Sequence, residues 1–299
     1  MNAPFGISKN LILLIHPGSV DGEFPYMLYE SIFLAKFLER HGYDVAVVDQ
    51  RVDADWEASV RPLLDDVLWI GLSVITGPQI GFALKTAARL REMNADIPLV
   101  WGGWHATFVP ESTIVHSLVD YVIAGIGELK VLDLSRHIAE GQKGEITNPG
   151  ILHKDGFVTY AACKEQFEDL PDLPAYHLLD VESYRSSNNV AGMVTSRGCP
   201  FRCGFCTIAQ VSFINRPLDS VISEMEFLIG EHGFEEIGFS DGLFFAQTRR
   251  VEAILDRLDE IDDVEPFMWM SDKEFGEYKN VFANSILNDL RLIGVLGKQ

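Results

Sequence analysis

Short, wholly apolar runs alternate with helically spaced segments through the first half of the chain. Residues 11–15 form a continuous apolar run closed by His16-Pro17-Gly18, the pattern of a buried strand followed by a turn. Residues 26–41 change period. Leu28, Ile32, Leu34, Ala35 and Leu38 recur on one side, Glu30, Lys36, Glu39 and Arg40 mostly on the other, and Gly42 stands where a C-cap glycine is expected. Further apolar strands are predicted at 45–48, 67–74, 99–101 and 121–124, with helices at 79–93 and about 128–139. Five such alternations predict an α/β domain: a doubly wound parallel sheet, Rossmann- or flavodoxin-like, with right-handed crossovers. Its ligand belongs at the carboxyl ends of the strands, in the loops at Pro17-Gly18, 73–79, 102–107 and 125–128. No G-x-G-x-x-G opens the first helix and no P-loop lysine motif occurs, which argues against a nicotinamide dinucleotide or a nucleoside triphosphate.

The pattern loosens after residue 145. Residues 150–160, with Asp155-Gly156 at the centre, read as a hairpin, and the prolines at 171 and 174 punctuate a linker. Three organisational segments follow: 1–145, a connector over 146–188, and 189–299. In the last, 191–194 reads as a strand stopped by Gly198 and Pro200, and 217–232 as an amphipathic helix. Another strand at 237–240 carries Asp241 at its end. A helix at 249–260, a strand at 266–270 and a helix at 284–293 complete three βα units.

Composition narrows the field. At 47% hydrophobic over 299 residues the chain can bury well-formed cores. The formal charge of −20 argues against a nucleic-acid partner, since phosphate binding draws on clustered Lys and Arg. No apolar run approaches the roughly 20 residues that span a bilayer. No basic-then-apolar leader opens the chain. A cytoplasmic protein with no membrane partner is expected.

Candidate chemistry concentrates in one loop. Three of the four cysteines fall within eight positions, Cys199-x3-Cys203-x2-Cys206, at the carboxyl end of the predicted strand at 191–194. Iron–sulfur clusters are usually held by four thiolates, so three on a four-iron cluster leave one iron open to a small molecule. The competing reading is a structural zinc knuckle with Cys163 as fourth ligand. Closed zinc sites pair C-x2-C with a second such pair or with histidines, and this sequence has no second pair.

That spacing, with Phe205 just before the third cysteine, is similar to the signature of the radical S-adenosylmethionine (SAM) superfamily. The resemblance implies a [4Fe-4S] cluster on Cys199, Cys203 and Cys206, with SAM chelating the fourth iron and Phe205 meeting its adenine through the backbone. One electron then cleaves SAM to methionine and a 5′-deoxyadenosyl radical. It also implies a partial (β/α) barrel, a small-molecule substrate, and an external electron donor such as flavodoxin or ferredoxin. Upstream, Ser73-Val74-Ile75, then 26 residues, then Gly102-Gly103 resemble the serine and double-glycine elements of the cobalamin-binding domain that precedes many radical SAM modules. His105 and Gly125-Ile126-Gly127-Glu128 look like parts of the same element. Ser73, Thr76, Gly102, Gly103, His105, Gly125, Gly127 and Glu128 are thus the implied cobalamin contacts, and cobalamin joins the cluster and SAM as a cofactor.

The sequence departs from related proteins in three places. The Asp-x-His-x-x-Gly element that ligates cobalt in methionine synthase is missing from residues 26–31. Where relatives commonly carry two adjacent aspartates, this chain has Asp241-Gly242. Only 109 residues run from Ala191 to Gln299, against roughly 200 or more for a full barrel, so a catalytic module shortened at its carboxyl end is expected. The resemblance implies a radical SAM enzyme, most often a methyltransferase of unactivated carbon. Oxidative cyclases of the anaerobic magnesium-protoporphyrin monomethyl ester type share the architecture, and a truncated, non-catalytic corrinoid- or cluster-binding protein is the remaining reading.

Overall fold

The computed structural model describes residues 9–20, 26–142, 146, 148–154, 173–185, 189–204, 206, 208 and 211–259. The expected strand at 266–270, the helix at 284–293, Phe205, Cys163 and residues 155–160 of the hairpin lie outside them. The chain divides into two compact units, Met1–Arg185 and Ser186–Gln299.

The first unit runs β1 (Leu11–His16), α1 (Tyr29–Arg40), β2 (Asp44–Asp49), α2 (Trp56–Val60), β3 (Val67–Ser73), α3 (Gln79–Met93), β4 (Leu99–Gly102), α4 (Gly103–Phe108), α5 (Pro110–Ile114), β5 (Tyr121–Ile123), α6 (Glu128–Ala139) and β6 (Ile151–His153). The strands form one sheet in the order β2-β1-β3-β4-β5-β6. The pairs β1–β2, β1–β3, β3–β4 and β4–β5 are parallel. The order 2-1-3-4-5 reverses direction between β1 and β3, and such a switch point opens a crevice at the strands' carboxyl ends.

Both faces of the sheet are covered, which is why its strands are apolar at nearly every position. On one face Leu13, Ile15, Ile70 and Leu72 pack with Val60 of α2, Ala83, Ala87 and Leu90 of α3, Ala106 of α4 and Ile114 of α5. On the other, α6 lies over β3 and against α1, and the Trp69 indole donates to the Ser135 hydroxyl at 2.9 Å. A shift of register between Leu11 and Ile12 against β3 puts Val67 and Ile70 into the same core.

Three features differ from the expected pattern. Ile151–His153 joins the main sheet antiparallel to β5, with Ile123 opposite Ile151. Residues 103–107, read as loop, lie in a short helix, 103–108, and a second follows at 110–114 after a break at Val109, opened by Pro110 at its first turn. The proline-punctuated stretch is fastened to the first unit: Ala175 N–H donates to Ile32 O at 3.1 Å, and His177 Nε2 lies 2.7 Å from Glu39 Oε1.

The second unit contains β7 (Val190–Met193), β8 (Ser196–Arg197), β9 (Ile214–Asn215), α7 (Leu218–Glu226), β10 (Glu236–Phe239) and α8 (Thr248–Asp259). β7 and β10 pair in parallel, Ala191 opposite Ile237 and Met193 opposite Phe239. β8 and β9 make a two-residue antiparallel ladder. The helix expected over 217–232 is α-helical only to Glu226. Its last turn, Phe227–Glu231, widens to a π-turn that keeps Leu228 fully buried before the chain reverses at Gly233. Met193, Val221, Met225, Leu228, Ile237, Val251 and Ile254 form the core beneath the two strands.

Candidate functional site

In the first unit the loops of the sheet's carboxyl edge converge at the switch point. The end of β3 and the start of α4 touch through glycine. Gly103 has φ of +84°, and a Cβ built there would stand 2.8 Å from both Val74 N and Val74 O and 3.1 Å from Ser73 Oγ. No side chain fits, so the closeness of the two loops requires a glycine at 103. His105 N–H then donates to Val74 O at 2.9 Å, and its Nδ1 lies 3.2 Å from Thr76 Oγ1. Partial burial holds the His105 imidazole below its usual range. One helical turn on, the Thr107 hydroxyl donates to Gly103 O at 2.8 Å and accepts Gly125 N–H at 3.0 Å, tying the β4 loop to the β5 loop. Gly127 follows, and Glu128 opens α6 as a buried side chain.

The expected contacts Ser73, Thr76, Gly102, Gly103, His105 and Gly125 are therefore brought to one edge, Ser73 against Gly103 and Thr76 against His105. Around them the edge is bare: nothing lies within 4 Å of a Cβ built at Gly77 or Gly102. Open backbone beside hydroxyl and imidazole groups at a switch point suits a broad ligand carrying many hydrogen-bonding groups, and cobalamin is of that kind.

The sequence did not mark the network beneath this edge. His16, at the end of β1, is 4% exposed. Gln79 accepts Ile75 N–H on Oε1 at 2.6 Å, which leaves its Nε2 to donate to His16 Nε2 at 2.9 Å. That contact needs a neutral ring. Burial foremost, then the Arg51 guanidinium, outweighs the attraction of Asp49 and holds the His16 pKa down at about 4. Beside it Arg51 binds Asp49 through Nε and Nη2 at 2.9 and 2.7 Å, with both side chains almost fully buried. The same guanidinium covers the Tyr26 ring at 4.2 Å. The Tyr184 hydroxyl donates to Asp49 at 2.9 Å, and burial with the nearby carboxylate pushes its pKa upward. A histidine ending an apolar strand was the one legible sign. The partners come from residues 26, 49, 51, 79 and 184, a grouping that only the fold assembles.

In the second unit the cysteine loop leaves the carboxyl end of β7. Gly198 has φ of +70°, and its Cβ would lie 2.3 Å from Ser212 O and 2.6 Å from Val211 O, so the loop's first turn is pressed against backbone. Cys199, Cys203 and Cys206 are free, half-buried thiols, with Cys206 N–H donating to Cys203 O at 3.0 Å. Among the described residues no three His, Cys, Asp or Glu side chains lie close enough to share one metal ion, so the structure sets the three thiols on one loop without gathering them. The donor set fits an iron–sulfur cluster in kind and spacing: three free soft thiols on one short loop at a strand's end.

Two polar groups flank that loop. Asp241, at the end of β10, accepts Thr195 N–H at 3.0 Å, the Thr195 hydroxyl at 2.9 Å and the Ser196 hydroxyl. Arg216 is buried. It pairs with Glu224, side chains 2% and 0% exposed, and donates to Val194 O at 2.7 Å. A buried guanidinium needs a charged partner, and α7, which begins two residues on, supplies it in Glu224.

A family model described as the B12 binding domain matches residues 32–134, the span from α1 to α6. The chain is 29% identical over 226 residues to an uncharacterised methyltransferase of Pyrococcus horikoshii, covering 71% of this chain and 48% of that protein. It is 29% identical over 250 residues to the anaerobic magnesium-protoporphyrin IX monomethyl ester cyclase of Rubrivivax gelatinosus, covering 76% of this chain and 44% of that one. Among solved structures it shares the fold of the radical SAM methyltransferase TsrM from Kitasatospora setae, determined with cobalamin and a [4Fe-4S] cluster bound. There the TM-score is 0.70 at 21% identity, over 90% of this chain and 56% of that one. The chain spans about half the length of the curated relatives it matches.

Proposed function

We propose that the chain is a cobalamin-binding-domain-containing radical SAM protein and serves a cobalamin-dependent radical SAM enzyme transferring a methyl group to an unactivated carbon of a small molecule. The observation that carries this reading is the succession of two sites in one chain: a switch-point edge inside the B12-binding match, then a three-thiol loop at the carboxyl end of a parallel strand.

Each site has its own task. Cys199, Cys203 and Cys206 would hold the [4Fe-4S] cluster, and SAM would bind beside them, with Phe205 against its adenine. At the other site, Ser73, Thr76, Gly102, Gly103, His105, Gly125, Gly127 and Glu128 would face cobalamin. When bound, the cluster supplies the electron that splits SAM to methionine and a 5′-deoxyadenosyl radical, and cobalamin carries the methyl group. The protein's own residues hold these groups: Gly103 lets the two loops close together, Thr107 fixes their spacing, and Asp241 and Arg216 hold the strand end from which the thiols project. An external one-electron donor such as flavodoxin or ferredoxin would feed the cluster. Among the described residues no helix is long and apolar enough to cross a membrane.

The resemblance to the Rubrivivax cyclase favours a second reading, oxidative ring closure on the same architecture. Anaerobic reconstitution with iron, sulfide and cobalamin, followed by SAM and a reductant, tests the proposal. The expected result is co-elution of corrin absorbance with the chain and release of 5′-deoxyadenosine. Corrin absorbance in the flow-through and intact SAM would contradict it.

A further inference from the structure

The end of β7 is held from three sides by side chains that the cofactor sites do not themselves use. Thr195 and Ser196, 3% and 5% exposed, form the last buried backbone before Gly198 and Cys199. Their polar groups converge on one carboxylate. Asp241 Oδ2 accepts Thr195 N–H at 3.0 Å, while Oδ1 accepts the Thr195 hydroxyl at 2.9 Å and the Ser196 hydroxyl. The next peptide is also fixed: Thr195 O accepts from Arg216 N–H at 3.0 Å and from Arg250 Nη2 at 3.2 Å. Ser240 N–H donates to Met193 O at 2.8 Å, so Asp241 leaves β10 in register with β7. Just beyond, Gly242 approaches Gly198 O, with a constructed Cβ only 3.0 Å away.

The geometry points to Asp241 as a positioning residue for the cysteine loop: its carboxylate fixes the direction in which the chain leaves β7, and so the placement of the first thiol, Cys199, on the metal. This inference rests on the reading that the three cysteines hold a [4Fe-4S] cluster. A carboxylate with one backbone and two hydroxyl donors defines a direction more sharply than a neutral acceptor, because each charge-assisted bond is shorter and stronger. Asp241 reaches the cysteine loop through Thr195 and Ser196, which precede Cys199 by four and three residues, and it need not touch the iron to act. Partners of this outer kind typically change metal affinity by about tenfold or more.

The test uses the full chain, reconstituted anaerobically with iron and sulfide, in four forms: wild type, D241A, D241N and I254A. Ile254 is fully buried in α8, and its truncation loosens the second unit without touching the loop's hydrogen bonds. Iron release to a chelator and the electron paramagnetic resonance line shape of the reduced cluster are read for each. We expect D241A to lose iron roughly tenfold faster than wild type, with a broadened or shifted signal per iron. D241N, which keeps an acceptor for both hydroxyls but turns an amide toward the Thr195 N–H, falls between them. I254A takes up less iron yet keeps the wild-type line shape. Wild-type release and line shape in D241A overturn the inference, as does I254A reproducing the altered signal. Should D241A fold too poorly to take up a cluster, D241N decides, and a wild-type spectrum there overturns it. A wild-type chain that takes up no iron and sulfide overturns the underlying cluster reading instead.

Discussion

Replacing Gly103 by alanine tests how the switch-point edge is built. At φ of +84° an alanine pays about 1–2 kcal/mol for the left-handed conformation alone. Its Cβ would also stand 2.8 Å from Val74 N and O. Val74 cannot retreat, because its N–H is bonded to Gly102 O at 3.0 Å and its carbonyl to His105 N at 2.9 Å, and the residue is fully buried. Overpacking against fixed atoms costs about 1–3 kcal/mol more. The sum, about 2–5 kcal/mol, is a large share of the 5–15 kcal/mol or so that stabilises a typical domain. With a urea m-value of about 2–3 kcal/mol/M for a unit of this size, the unfolding midpoint of G103A should fall by about 1–2 M. The neighbouring glycine supplies the control. Gly102 has extended backbone and nothing within 4 Å of a built Cβ, so G102A should keep stability within about 0.5 kcal/mol of wild type and the midpoint within about 0.2 M. Near-ultraviolet circular dichroism through a urea series reads both. Equal midpoints for G103A and wild type, or equal losses in the two variants, would refute the reasoning.

Other consequences follow from the buried polar groups. His16 is held at about 4 in the folded chain and titrates near 6.5 when unfolded, so below pH 6.5 the unfolded state takes up a proton that the folded state refuses. Stability should therefore fall as pH drops from about 6.5 to about 4, by on the order of 3 kcal/mol, and level off below; urea midpoints across that window should show the slope in wild type and a shallower one in H16Q. Truncating one member of the buried Arg216–Glu224 pair, as in E224A, should destabilise the second unit by about 3–5 kcal/mol. The double variant R216M/E224A should recover part of that in thermal melts, because no charge is left buried alone. Replacing Cys199, Cys203 or Cys206 by serine should remove the broad charge-transfer absorbance of the reconstituted protein, whereas C163S should leave it unchanged.

The central sheet was legible because strands covered on both faces must be apolar along their length, so 11–15, 67–74 and 99–101 stood out without help from periodicity. Helix boundaries at 79–93 and 128–139 agree with α3 and α6 to the residue. The glycine pair was visible but its division of labour was not: Gly103 is demanded by Val74, while Gly102 faces open space, and only the crossing of two loops distinguishes them. Residues 102–107 looked like loop, and 110–114 showed no element, because the two helices there are each about one turn long and carry too few positions to show a period. Ile151–His153 could be read as a strand, yet nothing local says that its partner is β5. Arginine is usually solvated, and nothing local says that Arg216 is buried against Glu224, eight residues on, in α7. Asp241 was noticed for its missing neighbour, whereas its role in the structure is to bind Thr195 and Ser196, 46 and 45 residues earlier.

The most direct test of the account is the metal content of the anaerobically reconstituted chain, measured together with acid-labile sulfide. About four iron and four sulfide per chain are expected, dependent on all three clustered cysteines, with SAM perturbing the reduced cluster's resonance through the iron that no thiolate holds. Zinc without sulfide, or an iron content unchanged when Cys199, Cys203 or Cys206 is replaced, would contradict it.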